Sequence, residues 1–410
     1  MLANPFTLLA RLPFTVRVLI LGTLVNKLGA FIFPFLSLVL SREFHLPATR
    51  VAALLMAYGV GSLISIMVGG VLTDSLGRRR ILLVSLFGSG LLAVALGFAP
   101  SQKVFVPLLV AFAFLTDLYR PASSALISDL LPSSERSLGY AALRMAVNLG
   151  FFVGMGLGGL LVDWSWRFMF VADGVTTLLC GLLVFLHVAE SRPQPGPAEP
   201  GLELPARRSA APTSPWRDRP FLALCLATFV FAFSFFADFM VFPLTITNAG
   251  YPALVFGLIV GMNGLMIAVF EVTATAWLRR YRRLRVAALG ALVSGLGFGL
   301  IGMAQHWAWY AAVAVLWTAG EILALPQQMS FAADWAPPLA RGRYLSVYTA
   351  TWALAAAVSP AILLPLHARL GERLFWPLLF LVNLPGAALL WRLDRTADRP
   401  ERLRGHSSQA

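Results

Sequence analysis

Apolar blocks separated by short polar loops run along almost the whole chain. Most blocks are about 20 residues long, which is the length of helix that crosses a hydrocarbon core about 30 Å thick. The pattern therefore predicts an all-α membrane protein with twelve transmembrane helices. In chain order, the predicted spans are 14–39, 48–72, 81–99, 104–128, 138–161, 167–188, 220–244, 254–277, 286–304, 308–331, 343–366 and 374–392.

A polar stretch divides these spans into two sets of six. Residues 189–219 carry seven prolines and five arginines and contain no apolar run, which is typical of a solvated linker. The sequence therefore predicts an N-terminal six-helix half and a C-terminal six-helix half, joined by a cytoplasmic linker and followed by a cytoplasmic tail. The predicted boundaries are 1–188, 189–219, 220–392 and 393–410.

The two halves share residues at a fixed spacing. Four pairs around the fourth and tenth spans are each separated by 205 positions: Pro121 and Pro326, Asp129 and Asp334, Pro132 and Pro337, and Arg136 and Arg341. The dipeptides Phe33-Pro34 and Phe242-Pro243 add a weaker repeat at an offset of 209. Parallel repeats of this kind are expected of a transporter built from two pseudo-symmetric halves.

The charged residues are few and unevenly distributed. They make up 12% of the sequence, against about 25% in soluble domains, although the net charge is +13. Of the 32 Lys and Arg, 23 fall in loops and helix ends on the side of the termini, and six fall on the opposite side. Basic loops face the cytoplasm, so both termini are predicted to lie there, with the protein in the inner cell membrane. This distribution also argues against a nucleic-acid partner.

No motif for catalysis or cofactor binding is found in the sequence. Cys180 and Cys225 lie inside apolar blocks and offer neither a disulfide framework nor a metal-ligand spacing. There is no His/Glu metal motif, nucleophile elbow or phosphate loop. We therefore expect no enzyme activity and no cofactor, with a proton gradient as the energy source and a monomer as the working unit.

The loop after the second span carries a recognisable motif. It reads Gly69-Gly70-Val71-Leu72-Thr73-Asp74-Ser75-Leu76-Gly77-Arg78-Arg79-Arg80. Glycines here are expected to allow close helix approach at Gly70 and a tight turn at Gly77. Asp74 can pair with Arg78 and face the amino end of another helix, whose dipole favours a carboxylate. The loop resembles the signature of the major facilitator superfamily, G-x-L-x-D-x-x-G-R-[KR]-[KR].

That resemblance implies a twelve-helix transporter with a cytoplasmic gate. In this family the partners of the loop are the start of helix eleven, here near Arg343, and a carboxylate at the foot of helix four, here Asp129. The gate would close the cytoplasmic side and open during transport. Residues 277–285 keep the arginines in the second half but lack the Gly-x-x-x-Asp part. A gate cluster is therefore expected in the first half alone.

Two further stretches resemble one branch of the family. Span five, from Asn148 to Gly159, is similar to the glycine-rich antiporter signature, with Met155 in place of its proline. Span ten carries Gly320-Glu321 and is similar to the LmrP-like drug:proton antiporter branch. The E-x-x-E-R signature of peptide:proton symporters is absent from span one. The resemblance therefore favours multidrug efflux over peptide uptake.

Ionisable residues inside the spans are the candidate functional residues, because each costs at least a few kcal/mol at mid-bilayer. Asp117 and Arg120 are neighbours on one helix face, and Arg144 is expected at a similar depth, so that Asp117 would lie between two arginines. Glu321 has no basic residue within four positions, which makes it the preferred proton carrier. Asp173 lies nearer the interface and is a weaker candidate.

Other candidates extend this set. The candidates for proton coupling are Glu321, Asp238, Asp117 and Glu271, although Glu271 fits equally well as a residue that joins helices. The candidates for the substrate cavity are Lys27, Arg120, Arg144, Asn148, Phe235 and Phe239. Asp238 lies in a run of phenylalanines that suits apolar or cationic ligands, and the same run also suits packing against lipid.

Two functions remain open at this point. The first is a proton-coupled antiporter that exports lipophilic, often cationic, small molecules by alternating access. The second is a symporter or uniporter for an organic anion, a peptide or a lipid-like molecule, which would use Lys27, Arg120 and Arg144.

Overall fold

The computed structural model describes residues 12–131, 133–190, 214–278, 280–336 and 341–397. This part of the chain holds fourteen α-helices, one 3₁₀ helix (Pro215–Arg217) and no strand. In chain order the α-helices are α1 (Phe14–Leu28), α2 (Ile32–Arg42), α3 (Ala48–Leu76), α4 (Arg78–Gly97), α5 (Gln102–Asp117), α6 (Tyr119–Leu130), α7 (Ser133–His187), α8 (Arg219–Phe235), α9 (Ala237–Met240), α10 (Phe242–Asn248), α11 (Ala253–Leu278), α12 (Arg283–Ile301), α13 (Trp307–Trp335) and α14 (Arg341–Ala397).

The helices account for twelve membrane crossings. Ten segments of the described chain are long and apolar enough to span a membrane, and two of these, Ala142–His187 and Arg343–Arg395, hold 46 and 53 residues. Each of the two is long enough for two crossings, since one crossing needs about 20 residues. Non-helical backbone at Ser165 in α7 and at Gly371 in α14 marks the turn inside each long helix. The predicted all-α, twelve-span fold is confirmed.

Three predicted spans are broken helices, which the sequence analysis did not predict. A proline removes a backbone donor and clashes with the carbonyl four residues earlier. Pro121 is four residues after Asp117, where α5 ends. Pro34 is four residues after Ala30, which lies between α1 and α2. Span seven is divided into α8, α9 and α10, and Pro243 lies in the first turn of α10. Each break frees backbone groups that need new partners inside the membrane.

The chain divides into two compact units. Unit 1 comprises Met1–Arg208 together with Ile246–Leu265, and unit 2 comprises Ser209–Thr245 together with Met266–Ala410. Each unit has its own buried apolar core, formed around Leu82 and Leu126 in unit 1 and around Phe221 and Tyr344 in unit 2. The predicted division into halves remains a prediction. Residues 191–213 of the predicted linker and 398–410 of the predicted tail lie outside the described residues.

A glycine face of α7 packs directly on the broken first span. A Cβ atom at Gly154 would lie 2.7 Å from the carbonyl oxygen of Lys27 and 2.9 Å from that of Leu28. Gly150 and Gly158 face the same broken span. The predicted close approach of a neighbour to these glycines is therefore confirmed, and the neighbour is the α1–α2 break.

We expect Gly154→Ala to lower the stability of the protein by about 1–3 kcal/mol, because the added methyl group meets backbone atoms that cannot move aside cheaply. Gly156→Ala on the same helix is the matched control, since its Cβ would meet only Leu258, at an ordinary 3.5 Å. Thermal unfolding of both variants in detergent measures the difference. Equal unfolding midpoints would contradict this account of the α1–α7 contact.

Candidate functional site

Asp117 is held in an ion pair inside unit 1. Its Oδ1 lies 2.9 Å from Nε of Arg120, and the hydroxyl of Ser62 donates a hydrogen bond to its Oδ2. The predicted pairing with Arg120 is confirmed. Among the described residues Arg144 is not a partner of Asp117, so the prediction that Asp117 lies between two arginines is wrong. Arg144 lies at an exposed position of α7.

Asp173 satisfies the backbone groups that the first break frees. Its Oδ2 accepts hydrogen bonds from the backbone N–H groups of Phe31 (3.0 Å) and Ile32 (3.1 Å), at the start of α2. Asp173 is buried within the protein, and its predicted position nearer the interface stays a prediction. A carboxylate at a helix N-terminus is favoured by the helix dipole as well as by these bonds. Pro34 was the signal in the sequence, since it predicts a break that needs an acceptor.

Lys27 lies in the last turn of α1, beside this polar region. Arg120, Asp117 and Asp173 are the charged residues around it. No described residue forms a hydrogen bond or an ion pair with its ammonium group. Asn148, which is half-buried, lies on α7, the helix whose glycines contact the backbone of Lys27. Lys27 is therefore a cation in unit 1 that has no direct counter-ion among the described residues.

Asp238 is the corresponding isolated ionisable residue in unit 2. Its side chain is 1% exposed, in the four-residue helix α9. No described residue donates a hydrogen bond to it or forms an ion pair with it. Ser234, one turn earlier, also has a buried hydroxyl group that lacks a hydrogen-bond partner among the described residues. Such groups cost free energy in an apolar interior, so they indicate a site for a proton or a ligand.

Aromatic rings surround this part of span seven. The indole of Trp352, on α14, lies 5.5 Å from the ring of Phe235 and 6.3 Å from the rings of Phe231 and Phe236. The ring of Phe239 lies 5.6 Å from that of Phe235. These aromatic residues stand next to Asp238 in the sequence of span seven. Trp352 was missed by the sequence analysis, because no periodicity links it to span seven.

The two carboxylates Asp238 and Glu321 occupy the same level of unit 2. Span seven and α13 meet where the rings of Phe242 and Trp317 lie 5.4 Å apart. The helices run in opposite directions, so Asp238 and Glu321 each lie four residues, or about 6 Å, from that contact on the same side. Both side chains are buried.

A second contact fixes this alignment. The hydroxyl of Thr228 donates a 2.8 Å hydrogen bond to the side chain of Gln328, further along both helices. The carboxylate-bearing segments therefore run side by side between two contacts. Glu271, also in unit 2, is half-buried near the end of α11.

Each unit contains an Arg–Asp ion pair, and the two pairs occupy equivalent positions of the 205-residue repeat. Nε of Arg78 lies 2.9 Å from Oδ2 of Asp129 in unit 1. In unit 2, Arg283 forms an ion pair with Asp334. Both members of the second pair are 205 positions after those of the first. Each half therefore pairs this arginine with an aspartate, and the expectation of a gate in the first half alone stays a prediction.

The signature loop differs in detail from its prediction. Gly77 has φ 105°, a left-handed conformation that suits glycine, so the predicted tight turn is confirmed. The predicted close approach at Gly70 is wrong, because within the described chain no atom lies within 4 Å of the position that its Cβ would take. The neighbouring Gly69 is the residue that faces Pro121. Asp74 lies in α3, and its side chain is outside the description, so its role stays a prediction.

An unpredicted carboxylate caps the helix that follows this loop. Glu190 accepts hydrogen bonds from the backbone N–H groups of Arg79 (3.0 Å) and Arg80 (3.2 Å), the first turn of α4. In unit 2, Asp394 holds a similar place, with its Oδ2 2.8 Å from Nε of Arg285. Each unit therefore ties its arginine-rich loop to the end of its last helix.

Comparison with known proteins agrees with this architecture. A family model described as Major Facilitator Superfamily matches residues 19–360 and 224–408. A "Na(+), Li(+), K(+)/H(+) antiporter" of Planococcus maritimus is 25% identical over 400 residues, covering 88% of this chain and 91% of the relative. An uncharacterised transporter of the same type from Bacillus subtilis, YhjO, is 23% identical and covers 96% of this chain and 97% of its own length.

Solved structures show the same fold at low sequence identity. A POT family transporter in complex with 5-aminolevulinic acid superposes with a TM-score of 0.80 at 17% identity, covering 94% of this chain and 96% of that chain. A D-xylose-proton symporter superposes with a TM-score of 0.74, also at 17% identity, covering 95% and 97%. The relatives and the fold are those of multi-pass membrane transporters and not of enzymes.

We expect the two Arg–Asp pairs to differ in strength, because the Arg78 side chain is 6% exposed and the Arg283 side chain is 47% exposed. Asp129→Asn removes the charge that pairs with this nearly buried guanidinium and should cost roughly 1–3 kcal/mol of stability. Asp334→Asn is the matched control at the equivalent position and should cost less than about 1 kcal/mol. Denaturation of both variants in detergent measures this difference, and an equal loss would show that burial does not set the strength of these pairs.

Proposed function

Because the chain belongs to the major facilitator superfamily, we propose that it is a proton-coupled antiporter that exports lipophilic, cationic small molecules by alternating access. The observation that carries this proposal is Asp238, a buried carboxylate without a hydrogen-bond or ion-pair partner among the described residues. A negative charge in such a place needs a counter-ion. A proton or an organic cation can each supply it, and they compete for one site.

The aromatic residues next to Asp238 provide the other half of the site. Phe231, Phe235 and Phe236 come from span seven, and Trp352 comes from α14. Aromatic faces attract cations and also pack against apolar groups, so they suit a molecule that carries both. Substrate binding would therefore place the cationic group near Asp238 and release its proton.

Glu321 is the second carboxylate of this mechanism. It lies at the level of Asp238, so a proton that leaves one group has an acceptor at the same depth of unit 2. Asp117 does not take this role in the proposal, because its two oxygens already have Arg120 and Ser62 as partners. The name of the Planococcus maritimus relative, an antiporter that involves protons, supports exchange as the mode of transport.

A second candidate function rests on Lys27. Its ammonium group has no direct partner among the described residues and lies near Arg120, so unit 1 offers positive charge to an organic anion. A symporter or uniporter for such an anion would use this site and leave Asp238 with a structural role. The proposed orientation, with both termini in the cytoplasm, is the same for both functions.

We expect Asp238→Asn to abolish uptake driven by a pH gradient while downhill exchange survives, because the amide cannot bind or release the coupled proton. The measurement uses proteoliposomes with an acidic interior and tetraphenylphosphonium, a lipophilic cation, as the probe. Glu43→Gln removes an exposed carboxylate outside the site and is the control for the loss of one charge.

Three outcomes separate the alternatives. If pH-driven uptake fails in Glu321→Gln but persists in Asp238→Asn, the proton site is Glu321, in α13. Full pH-driven uptake in both variants would refute proton coupling through these carboxylates. A wild-type protein that ignores tetraphenylphosphonium but takes up benzoate, with loss of that uptake in Lys27→Gln, would establish the anion transporter instead.

A further inference from the structure

A second cluster of ionisable residues lies at the end of unit 2 opposite its arginine-rich loop. Nε2 of His367 is 2.9 Å from Oε1 of Glu372. The two residues flank Gly371, where a φ of 67° turns α14 between its two crossings. This end therefore holds a titratable pair at the hairpin of spans eleven and twelve. The proposed antiport mechanism does not use either residue.

The carboxylate of this pair also holds span seven. The hydroxyl of Thr245, in α10, donates a 2.7 Å hydrogen bond to Oε2 of Glu372. The indole N–H of Trp376 donates a 2.9 Å hydrogen bond to the same oxygen. Thr245 is seven residues after Asp238 in the same span. Glu372 thus connects the hairpin to the span that carries the proposed proton site.

Among the described residues, His367 and Glu372 form ion pairs with each other and with no other residue. His367 is buried at 8% exposure, with the ring of Phe375 5.1 Å away. Arg369 and Arg373 are exposed, and within the described part of the chain neither forms an ion pair with Glu372.

The neighbouring helices bring no carboxylate or basic side chain into contact with the pair among the described residues. The end of α12 packs through Gly302 against the backbone of Glu372, and α10 faces the carboxylate through Thr245. At the start of α13 the titratable groups are His306, whose ring accepts a hydrogen bond from the N–H of Ala308, and Tyr310, which packs on Phe242.

We propose that His367 and Glu372 form a second proton-binding site, which clamps the end of span seven to the hairpin when the imidazole is protonated. Histidine is the side chain whose charge responds most readily to pH changes between about 5 and 8. A protonated imidazole carries a positive charge, so it attracts the carboxylate of Glu372 across the 2.9 Å between Nε2 and Oε1, whereas a neutral imidazole does not. The clamp is therefore tight in acid, while Glu372 is still ionised, and loosens as the pH rises and the imidazole loses its charge.

This site differs from Asp238 in what its proton does. The proton at Asp238 would exchange with substrate, whereas the proton at His367 would set how firmly span seven is held. Only the consequence for transport rests on the proposed function. The clamp itself can be measured without any substrate, so its failure is distinguishable from failure of the antiport mechanism.

Hydrogen–deuterium exchange of the purified protein in nanodiscs tests the clamp. We compare protection factors, corrected for the intrinsic effect of pH, at about pH 6 and about pH 8 for segments 242–248 and 366–376. In the wild type, both segments should gain about fivefold or more in protection at the lower pH, the lower end of typical coupling between linked sites. His367→Gln and Glu372→Gln should each remove this gain while the other segments remain protected.

Three further variants separate the clamp from a general loss of structure. His306→Gln removes an exposed histidine from the same end of unit 2 and should keep the full gain. Thr245→Val should keep the gain in 366–376 but lose it in 242–248, because it cuts the link to span seven. Asp238→Asn should leave both gains intact. A wild type without a pH-dependent gain, or a gain that survives in His367→Gln, would overturn the proposal.

Discussion

A hydrocarbon core cannot hydrogen-bond to a free backbone amide, and this constraint organises the polar interior of the protein. Pro34 breaks the first span, and the two N–H groups that open there are satisfied by the carboxylate of Asp173 from α7. The break also makes room for Gly154, whose Cα lies against the carbonyl groups of the last turn of α1. The break at Pro34 thus lies against both a buried carboxylate and a glycine face, and α7 supplies both.

The buried carboxylates differ in whether they have structural partners. Asp173 accepts hydrogen bonds from backbone amides, and Asp117 is paired with Arg120 and Ser62. Removing either partner would leave a charge unpaired, which is the costly event in a low-dielectric interior. Asp238 has no hydrogen-bond or ion-pair partner among the described residues. A group that is buried without a structural partner is the one whose occupancy can change during a transport cycle.

Hydrophobic patterning predicted the spans well, because block length is set by membrane thickness and needs no tertiary information. The signature loop and the 205-residue repeat predicted the family and one Arg–Asp pair. Contacts between distant spans were not accessible in the same way. Nothing local in the sequence connects Trp352 to Phe235, or Glu372 to Thr245, and the direction in which Gly70 faces depends on how α3 rotates against its neighbours. Pro34 and Pro121 did carry a readable signal, since each predicts a break one turn earlier.

Span seven combines these elements in one short stretch of chain. Pro243 separates α9, which carries Asp238, from most of α10, which carries Thr245. A proline inside a helix removes one hydrogen bond and lowers the cost of bending there. The break near Pro243 therefore lies between the isolated carboxylate and the segment that is held by Glu372. In the proposed scheme the two sites act separately on one helix, since His367 sets how firmly the end of span seven is held and Asp238 sets what is carried.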